Sequence, residues 1–506
     1  MWTIFYAGSG RLAKAAVQKS HRNARRRRRL TTITSTERTS TSPEGYQSIG
    51  SFHSDNLADL IALSDKDYVP PSLPFPDEPE LPPRTKRKDS DDFLLDLEQF
   101  TFLNHGAFGA ALEVGHNRAA AWRLHLERQP LRYFDRDLLP HLVYSNRLLA
   151  AFMDVPCARD AVLTVNATTA LNSILAGYAR EFRSASHIVL WDTTYGSVKK
   201  MAQHCVGAAN VTEIPFQQRY LQQLMAAAAA SSNSIQPHAV MQQALEDTWN
   251  SVDLTGKRPL LILDHTTSNT ALTFPIQELA KQAAAYHPSP VIVVDGAHGL
   301  LAQDVRISEL DQDVDFYVSN GHKWLCAPRG VAVMYSRPTW HDTILRRPAV
   351  ISHGVDEPDL FSRFVWDGTR DYAAALALPA VLNYWKQRGP DTVRQQLRDT
   401  LRNGIQVLAE AWHPDNQRIE DWPGKVTITK WCDMLSPMAL VQLPDRLGSG
   451  NTSTDAKNAQ DYLYSQNIEV PVKCVQGELY VRVSCHVYNQ RSDFVILANA
   501  IQCYLT

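Results

Sequence analysis

Two absences in the sequence and its length narrow the class of protein. No run of 18 or more apolar residues occurs in the 506-residue chain, so no transmembrane helix is predicted. None of the seven cysteines stands in a C-x-x-C pair, which argues against a disulfide scaffold or a structural zinc site and fits a reducing compartment. The chain is also too long for one compact core, and we expect at least two domains.

Residues 1–36 lack acidic side chains altogether. They hold nine of the 51 Lys and Arg, which leaves 42 basic against 53 acidic residues in the remainder of the chain. Such an acidic body gives no support to nucleic-acid binding. The basic, hydroxyl-rich leader is typical of a transit peptide, and we predict mitochondrial targeting. A disordered basic tail on a cytoplasmic protein, or a nuclear address at residues 25–29, are the alternatives.

A proline-rich stretch follows the leader. Half of residues 70–83 are proline, a density that cannot sustain a helix or a central strand. The alanine run at residues 226–230 predicts a surface loop or a short solvent-facing helix. The predicted organisation is a leader over 1–60, a linker over 61–92, a large cofactor-binding domain over 93–370 and a small C-terminal domain over 371–506. Within the large domain, we expect segment 93–115 to pack with the small domain.

Short apolar runs alternate with helical segments from about residue 145 onward. Such runs are typical of strands that are buried on both faces of a mainly parallel sheet. The predicted strands are 161–166, 187–192, 259–264, 291–295 and 315–320, and residues 167–182 have helical spacing. The pattern therefore predicts an α/β fold in which helices flank the sheet. Ligands of such sheets bind outside the carboxyl ends of the strands.

Polar residues with complementary chemistry stand at three of these strand ends. Asp295 ends one strand, and Lys323 follows the next, 28 residues later. An amine that forms a Schiff base with an aldehyde, and a carboxylate that holds a pyridine nitrogen protonated, suit pyridoxal phosphate (PLP). Residues 166–169 stand where a strand passes into a helix, and a helix N-terminus suits a phosphate. Each feature alone is more often a surface cation or a helix cap, but the three together predict a PLP site.

Several segments, taken in order, resemble the class V aminotransferases, which are fold-type I PLP enzymes. They include FLNHGAFGA, VNATTALN, VDGAHGLLAQDV, DFYVSNGHKWL, WDGTRDYAAALALP and YVRVSCHVYNQRSDF. Within that family they are most similar to the isopenicillin N epimerase-like and cysteine desulfhydrase-like branch. The resemblance covers roughly residues 95–506. It implies a large, mainly parallel domain with a smaller C-terminal α+β domain. It also implies PLP as cofactor and an amino acid as small-molecule substrate, without nucleic acid or membrane as partners.

The resemblance also implies roles for single residues. Lys323 would hold the cofactor and act as general base, Asp295 would pair with the pyridine nitrogen, and Tyr195 would stack on the ring. Gly368 and Thr369 would come from the partner subunit, which implies a homodimer with composite active sites. The expected cofactor contacts are Ala167, Thr168, Thr169, Asp295, His298, Asn320, His322, Lys323, Gly368 and Thr369, the expected substrate contacts are Arg482 and Asn104, and no metal is expected.

The reaction at the substrate α-carbon has several possible outcomes. Loss of a β-substituent would be C–S lysis, reprotonation would be epimerisation, and protonation at the cofactor would be transamination. A desulfurase needs a reactive thiol, whereas Cys326 stands where packing is the better interpretation. We predict a C–S lyase of the cysteine desulfhydrase type, with an epimerase, an aminotransferase or a PLP-fold scaffold without activity as alternatives. Tyr195 as a core tyrosine and Arg482 as a surface arginine also stay open.

Overall fold

A computed structural model describes most of the chain beyond residue 56. The described residues are 57–77, 88–229, 237–416, 418–419, 422, 425–428, 436–444, 447 and 450–505. The predicted leader, apart from its last four residues, lies outside them, and so does the middle of the predicted linker. The alanine run is described only as far as residue 229.

Twelve strands within the described residues form three sheets. They are β1 (Thr101–Phe102), β2 (Ala161–Thr164), β3 (Ser186–Trp191), β4 (Val211–Ile214), β5 (Arg258–Asp264), β6 (Val291–Asp295), β7 (Phe316–Asn320), β8 (Ala332–Ser336), β9 (Met438–Gln442), β10 (Ile468–Glu469), β11 (Val472–Val475) and β12 (Glu478–Ser484). The largest sheet has the strand order β2-β8-β7-β6-β5-β3-β4. It is parallel from β7 to β4, and β8 runs antiparallel to both of its neighbours. The predicted α/β fold with a mainly parallel sheet is confirmed.

Seventeen α-helices lie within the described residues. They are α1 (Leu57–Ala62), α2 (His105–Phe108), α3 (Glu113–Arg128), α4 (Pro130–Arg132), α5 (Leu138–Phe152), α6 (Ala167–Phe182), α7 (Gly196–Val206), α8 (Leu221–Ala229), α9 (Pro237–Ser251), α10 (Ile276–Ala284), α11 (Ile307–Leu310), α12 (Leu360–Val365), α13 (Ala373–Leu376), α14 (Leu378–Arg388), α15 (Pro390–Trp412), α16 (Ser453–Ser465) and α17 (Arg491–Tyr504). None of these helices combines the length and the apolar character that a bilayer span requires.

The central strands of the large sheet follow from their composition. Strands β3, β6 and β7 are buried at every position, as are all positions of β5 after Arg258. Continuous burial suits a parallel strand that is covered by helices on both faces, and the runs of Val, Ile and Leu provide it. Because these strands run in the same direction, their carboxyl ends meet at one edge of the sheet.

A second hydrophobic core lies around the antiparallel sheet β11-β12-β9. It takes its residues from Leu401 onward, together with Leu103 from the N-terminal part. Strand β1 pairs in parallel with β10, so residues near 101 lie against C-terminal elements. The predicted limits of the two domains stay predictions.

Helix α1 is a folded element within residues that were predicted to belong to the leader and the linker. Its Leu57 and Ile61 side chains are buried in the main core. Arg147 donates to the carbonyl oxygens of Ile61 at 3.2 Å and Leu63 at 2.8 Å, which ties the helix end to α5. Folded structure therefore begins before Phe93, because a short apolar stretch precedes the prolines.

Candidate active site

A cavity of about 560 Å³ lies at the carboxyl ends of the parallel strands. Its volume falls within the range of about 300–1,000 Å³ that is usual for small-molecule sites. Ten residues predicted from the sequence line it, namely Asn104, Ala167, Thr168, Tyr195, Asp295, His298, Asn320, His322, Lys323 and Arg482. The structure thus brings together residues that are more than 300 positions apart in the chain.

Lys323 follows β7 and contacts a histidine whose tautomer is determined by a neighbour. Lys323 Nζ lies 3.1 Å from His298 Nε2, and Trp324 Nε1 donates to His298 Nδ1 at 3.3 Å. An indole N–H can only donate, so Nδ1 is the acceptor and the neutral ring carries its proton on Nε2. The Nε2–H group then donates to Lys323. The lysine must accept this hydrogen bond, which it can do only as a neutral amine.

Burial favours the same protonation states. It lowers the pKa of His298 well below the usual histidine value, and the charge of Lys323 lowers it further. Burial also lowers the pKa of Lys323 to about 8; Asp295 opposes this shift and Arg482 adds to it. Lys323 is therefore a base whose neutral form is accessible near physiological pH, as the sequence-based hypothesis required.

Two carboxylates lie side by side at the base of the cavity. The register of β5 and β6 pairs Asp264 with Asp295. The Thr194 hydroxyl donates to Asp264 Oδ2 at 2.6 Å, and the Ala297 N–H donates to Asp295 Oδ1 at 3.0 Å. Burial, and then the charge of Asp295, raise the pKa of Asp264 to about 7. Burial also raises the pKa of Asp295, but the Ala297 N–H and Lys323 oppose this shift. Asp295 is consequently the better site for the negative charge.

Asp264 was not predicted from the sequence, although the signal was available. This residue ends the predicted strand 259–264 in the same way that Asp295 ends the strand 291–295. Other lining residues that were not predicted lie in loops, in helices or in the small sheet. They include Ser268, Asn269, Gln460 and Lys473.

The N-terminus of α6 borders the same cavity. Asn166 Oδ1 accepts hydrogen bonds from the Thr169 N–H at 2.8 Å and from the Thr169 hydroxyl at 3.1 Å. Asn320 Oδ1 accepts from the Ala167 N–H at 3.0 Å. Thr169 is therefore occupied in the helix cap and does not line the cavity, whereas Thr168 is exposed beside it.

Arg482 projects from β12, the central strand of the antiparallel sheet. It is 4% exposed, so it is not a surface arginine. Its Nη1 donates to the Ser268 carbonyl, its Nη2 donates to Asn104 Oδ1 at 3.2 Å, and its buried Nε has no protein partner among the described residues. Burial lowers its pKa to about 10, which leaves the guanidinium charged at neutral pH. The two neighbours hold the head group and leave the Nε–H and the second N–H of each Nη for a ligand.

Comparison with known proteins shows which family the chain resembles. The family model for class V aminotransferases matches residues 250–418. A probable chloroplastic L-cysteine desulfhydrase from Arabidopsis thaliana is 29% identical over 423 residues, covering 79% of this chain and 82% of that relative. The chain is thus similar to class V aminotransferases and to this relative. An isopenicillin N epimerase from Streptomyces clavuligerus is 25% identical over 417 residues, covering 79% of this chain and 93% of that relative.

Solved structures share the fold. A C-DES variant with glycine covalently linked to its PLP cofactor aligns with a TM-score of 0.62 at 18% identity, over 82% of this chain and 99% of that one. The apo structure of a cysteine desulfurase from Thermococcus onnurineus aligns with a TM-score of 0.61 at 17% identity, over 83% of this chain and 98% of that one. The predicted fold-type I architecture is confirmed.

Class V aminotransferases are PLP-dependent enzymes, and the residues of the cavity fit this cofactor. Lys323 offers a buried amine to the aldehyde, and Asp295 offers a carboxylate to the pyridine nitrogen. His322 Nδ1 is buried in the cavity wall without a partner in the described part of the chain, and Thr168 stands free at a helix N-terminus. The Thr168 hydroxyl at the helix N-terminus suits a phosphate. The predictions of an enzyme and of PLP as its cofactor are confirmed.

Three predicted residues need separate comment. Tyr195 is 48% exposed and lines the cavity, so it is not a core tyrosine, and its stacking role stays a prediction. Gly368 and Thr369 lie between α12 and α13 and do not line this chain's cavity. Their predicted role requires a second subunit, and it also stays a prediction.

The loop that carries Lys323 rests on a buried polar cluster. His105 Nδ1 lies 2.8 Å from the Tyr488 hydroxyl, and Cys326 Sγ lies 3.4 Å from His486 Nε2. All four side chains are buried. Burial raises the pKa of the Cys326 thiol well above its usual value. Packing is thus the observed role of this cysteine, and a thiolate nucleophile is disfavoured.

Proposed function

We propose that this enzyme is a PLP-dependent C–S lyase of the cysteine desulfhydrase type. The observation that carries the proposal is a buried lysine, held neutral by His298, in a cavity that no cysteine of the described residues lines. Such a site can remove the α-proton of an amino acid, but it offers no enzyme thiol to receive sulfur. The similarity to plant L-cysteine desulfhydrases supports the same conclusion.

The substrate is held by groups from both sheets. Arg482, whose Nε lacks a protein partner, binds the α-carboxylate, and Asn104 and Ser268 keep the guanidinium in place. Bound PLP supplies an electron sink for the electron pair that the α-carbon acquires when it loses its proton. Asp295 keeps its negative charge and so holds a proton on the pyridine nitrogen.

Lys323 moves the proton. In the proposed reaction the neutral Lys323 amine would take the α-proton of the bound substrate, with its single lone pair released from the hydrogen bond that His298 donates. The resulting ammonium can return the proton to the sulfur that leaves the β-carbon. A pKa of about 8 allows both transfers near neutral pH. The overall reaction converts cysteine and water into hydrogen sulfide, pyruvate and ammonium.

A single assay panel tests this proposal. Holoenzyme is incubated with L-cysteine, and sulfide, pyruvate, alanine and D-cysteine are measured together. We expect sulfide and pyruvate in equal amounts, and neither product with Lys323→Ala. Borohydride reduction followed by peptide mapping should locate the cofactor on Lys323 and on no other lysine. Alanine with protein-bound sulfur would instead identify a desulfurase and contradict the proposal.

Epimerisation is the second candidate, since isopenicillin N epimerases are also similar to this chain. It would give D-cysteine without sulfide in the same panel. Transamination would give a keto acid that retains the sulfur, together with an aminated cofactor. Both outcomes would keep the PLP assignment and overturn the lyase assignment.

Two further parts of the proposal concern assembly and location. We propose a homodimer whose Gly368 and Thr369 complete the partner's site, and sedimentation of the holoprotein as a fully active monomer would contradict it. Mitochondrial targeting by the basic leader is also a proposal. Its support is the leader's composition and a plant relative that is named as chloroplastic, hence organellar. Imaging of the full chain with and without residues 1–36 tests it.

A further inference from the structure

The cavity contains a second cation beside the arginine that binds the α-carboxylate. Lys473 lies on β11 and pairs with Tyr480 on β12, two residues from Arg482. Directly opposed residues share a face of a sheet, and so do residues two apart on one strand. Lys473 and Arg482 therefore project from the same face, and both line the cavity.

Neither cation has an acidic partner within ion-pair distance in the part of the chain that the structure describes. Arg482 is held by a carbonyl and an amide oxygen, which carry no charge. Burial, and then the positive charge of Arg482, lower the pKa of Lys473, and no carboxylate offsets this shift. Two unpaired cations at one end of a cavity are costly without an anion between them.

The rest of this end of the cavity offers further hydrogen-bond donors. Gln460 Oε1 accepts from the Val472 N–H at 3.1 Å, so its NH₂ group is the part left for a ligand. The acidic residues among the cavity lining are Asp264 and Asp295, which end the strands of the other sheet. The end of the cavity formed by Gln460, Lys473 and Arg482 is thus suited to a second anionic group of the substrate, in addition to the α-carboxylate.

We infer that the preferred substrate is an S-substituted cysteine whose leaving thiol carries a second anionic group, and that Lys473 binds this group. The inference rests on the proposed C–S lyase function. Cysteine would be the minimal substrate of the same site. The reaction takes up one water and releases the acidic thiol, pyruvate and ammonium, with the α-proton passing to the departing sulfur.

Two probes of nearly equal size isolate the charge. S-carboxymethyl-L-cysteine carries the second anion, and S-carbamoylmethyl-L-cysteine replaces it with a neutral amide. We expect wild-type holoenzyme to show at least a tenfold higher kcat/KM for the acid than for the amide. Lys473→Gln should reduce this ratio to near one, and Lys473→Arg should retain most of it. Lys386→Gln, which changes an exposed lysine on α14, should leave the wild-type ratio unchanged.

The binding of the two probes can be measured from changes in the visible spectrum of the holoenzyme. This measurement tests the role of Lys473 separately from the lyase function on which the inference rests. Tighter binding of the acid without release of any thiol would overturn the lyase proposal and support the role of Lys473. Thiol release with equal kcat/KM for both probes would overturn the role of Lys473 alone. A Lys473→Gln variant that loads PLP poorly but keeps the wild-type ratio would also overturn it.

Discussion

The Trp324→Phe substitution tests whether an indole N–H keeps Lys323 neutral. In the wild type, Trp324 donates to His298 Nδ1, so Nε2 carries a proton and cannot accept from a Lys323 ammonium. Phenylalanine removes the donor, and the histidine can then adopt the other tautomer and accept from the ammonium. A hydrogen bond to a charged group contributes about 1.5–3 kcal/mol, and about 1.4 kcal/mol corresponds to one pKa unit. We therefore expect the pKa of Lys323 to rise from about 8 by one unit or more.

The assay is the rate at which the apoprotein takes up PLP, measured as a function of pH. Only the neutral amine attacks the aldehyde, so the rate should rise with pH through the pKa of Lys323. In the variant the midpoint moves to higher pH, and at pH 7 the uptake should be about tenfold slower, because a one-unit rise reduces the neutral fraction about tenfold.

Trp385→Phe is the matched control for the loss of a buried indole. Trp385 is also fully buried, but it donates to the Leu325 carbonyl at 2.7 Å and not to His298. Its substitution should lower stability as Trp324→Phe does and leave the pH midpoint unchanged. A Trp324→Phe midpoint equal to that of the wild type, or an equal displacement in both variants, would refute the role of the indole.

Two further substitutions test the carboxylate proposed to face the pyridine nitrogen, Asp295, and the glycine that packs against the Lys323 loop, Gly109. The Asp295→Asn variant should fold and load PLP, but it should slow the exchange of the substrate α-proton with solvent by about two orders of magnitude. The reason is that the substitution removes the charge that keeps the pyridine protonated. The control Asp264→Asn leaves that charge in place and should slow the exchange far less. Gly109→Ala would place a Cβ 1.9 Å from the His322 carbonyl oxygen, at a residue whose φ is +64°. We therefore expect the free energy of unfolding to fall by at least about 2 kcal/mol, which would be measured as a lower Tm. We also expect the variant to load PLP more slowly. Gly207→Ala, at a φ of +82° with no atom within 4 Å of the added Cβ, should cost only the backbone strain, and equal losses in the two glycine variants would contradict the packing argument.

The sequence predicted those parts of the fold in which burial leaves a continuous apolar run. Strands β6 and β7 and helix α6 match the predicted segments closely for this reason. Strand β4 was not predicted because it lies at the sheet edge and three of its four residues are only partly buried or exposed, so its pattern is mixed. Strand β8 is apolar, but its antiparallel direction depends on a chain reversal after the Lys323 loop, which composition does not reveal.

The candidate site divides along a similar line. Asp295 and Lys323 stand at the carboxyl ends of strands in the large sheet, and Thr168 lies at the start of the helix that follows another strand of it. Their proximity therefore follows from the topology alone. Trp324 and His298 are 26 residues apart, and the hydrogen bond between them depends on rotamers that no spacing determines. Lys473 could not be predicted because its side of the small sheet depends on the register of β11 with β12.

The position of Cys326 bears directly on the fate of the substrate sulfur. Its thiol lies three residues beyond Lys323, yet it is fully buried against His486 and does not line the cavity. Among the described residues, no cysteine can therefore accept sulfur from a bound substrate without rearrangement of the loop. In the proposed lyase reaction the departing sulfur needs a proton, and the proposed donor is the Lys323 ammonium that removal of the α-proton would leave. This proposal requires Lys323 to take a proton from carbon and to give it to sulfur, and a pKa of about 8 permits both at neutral pH.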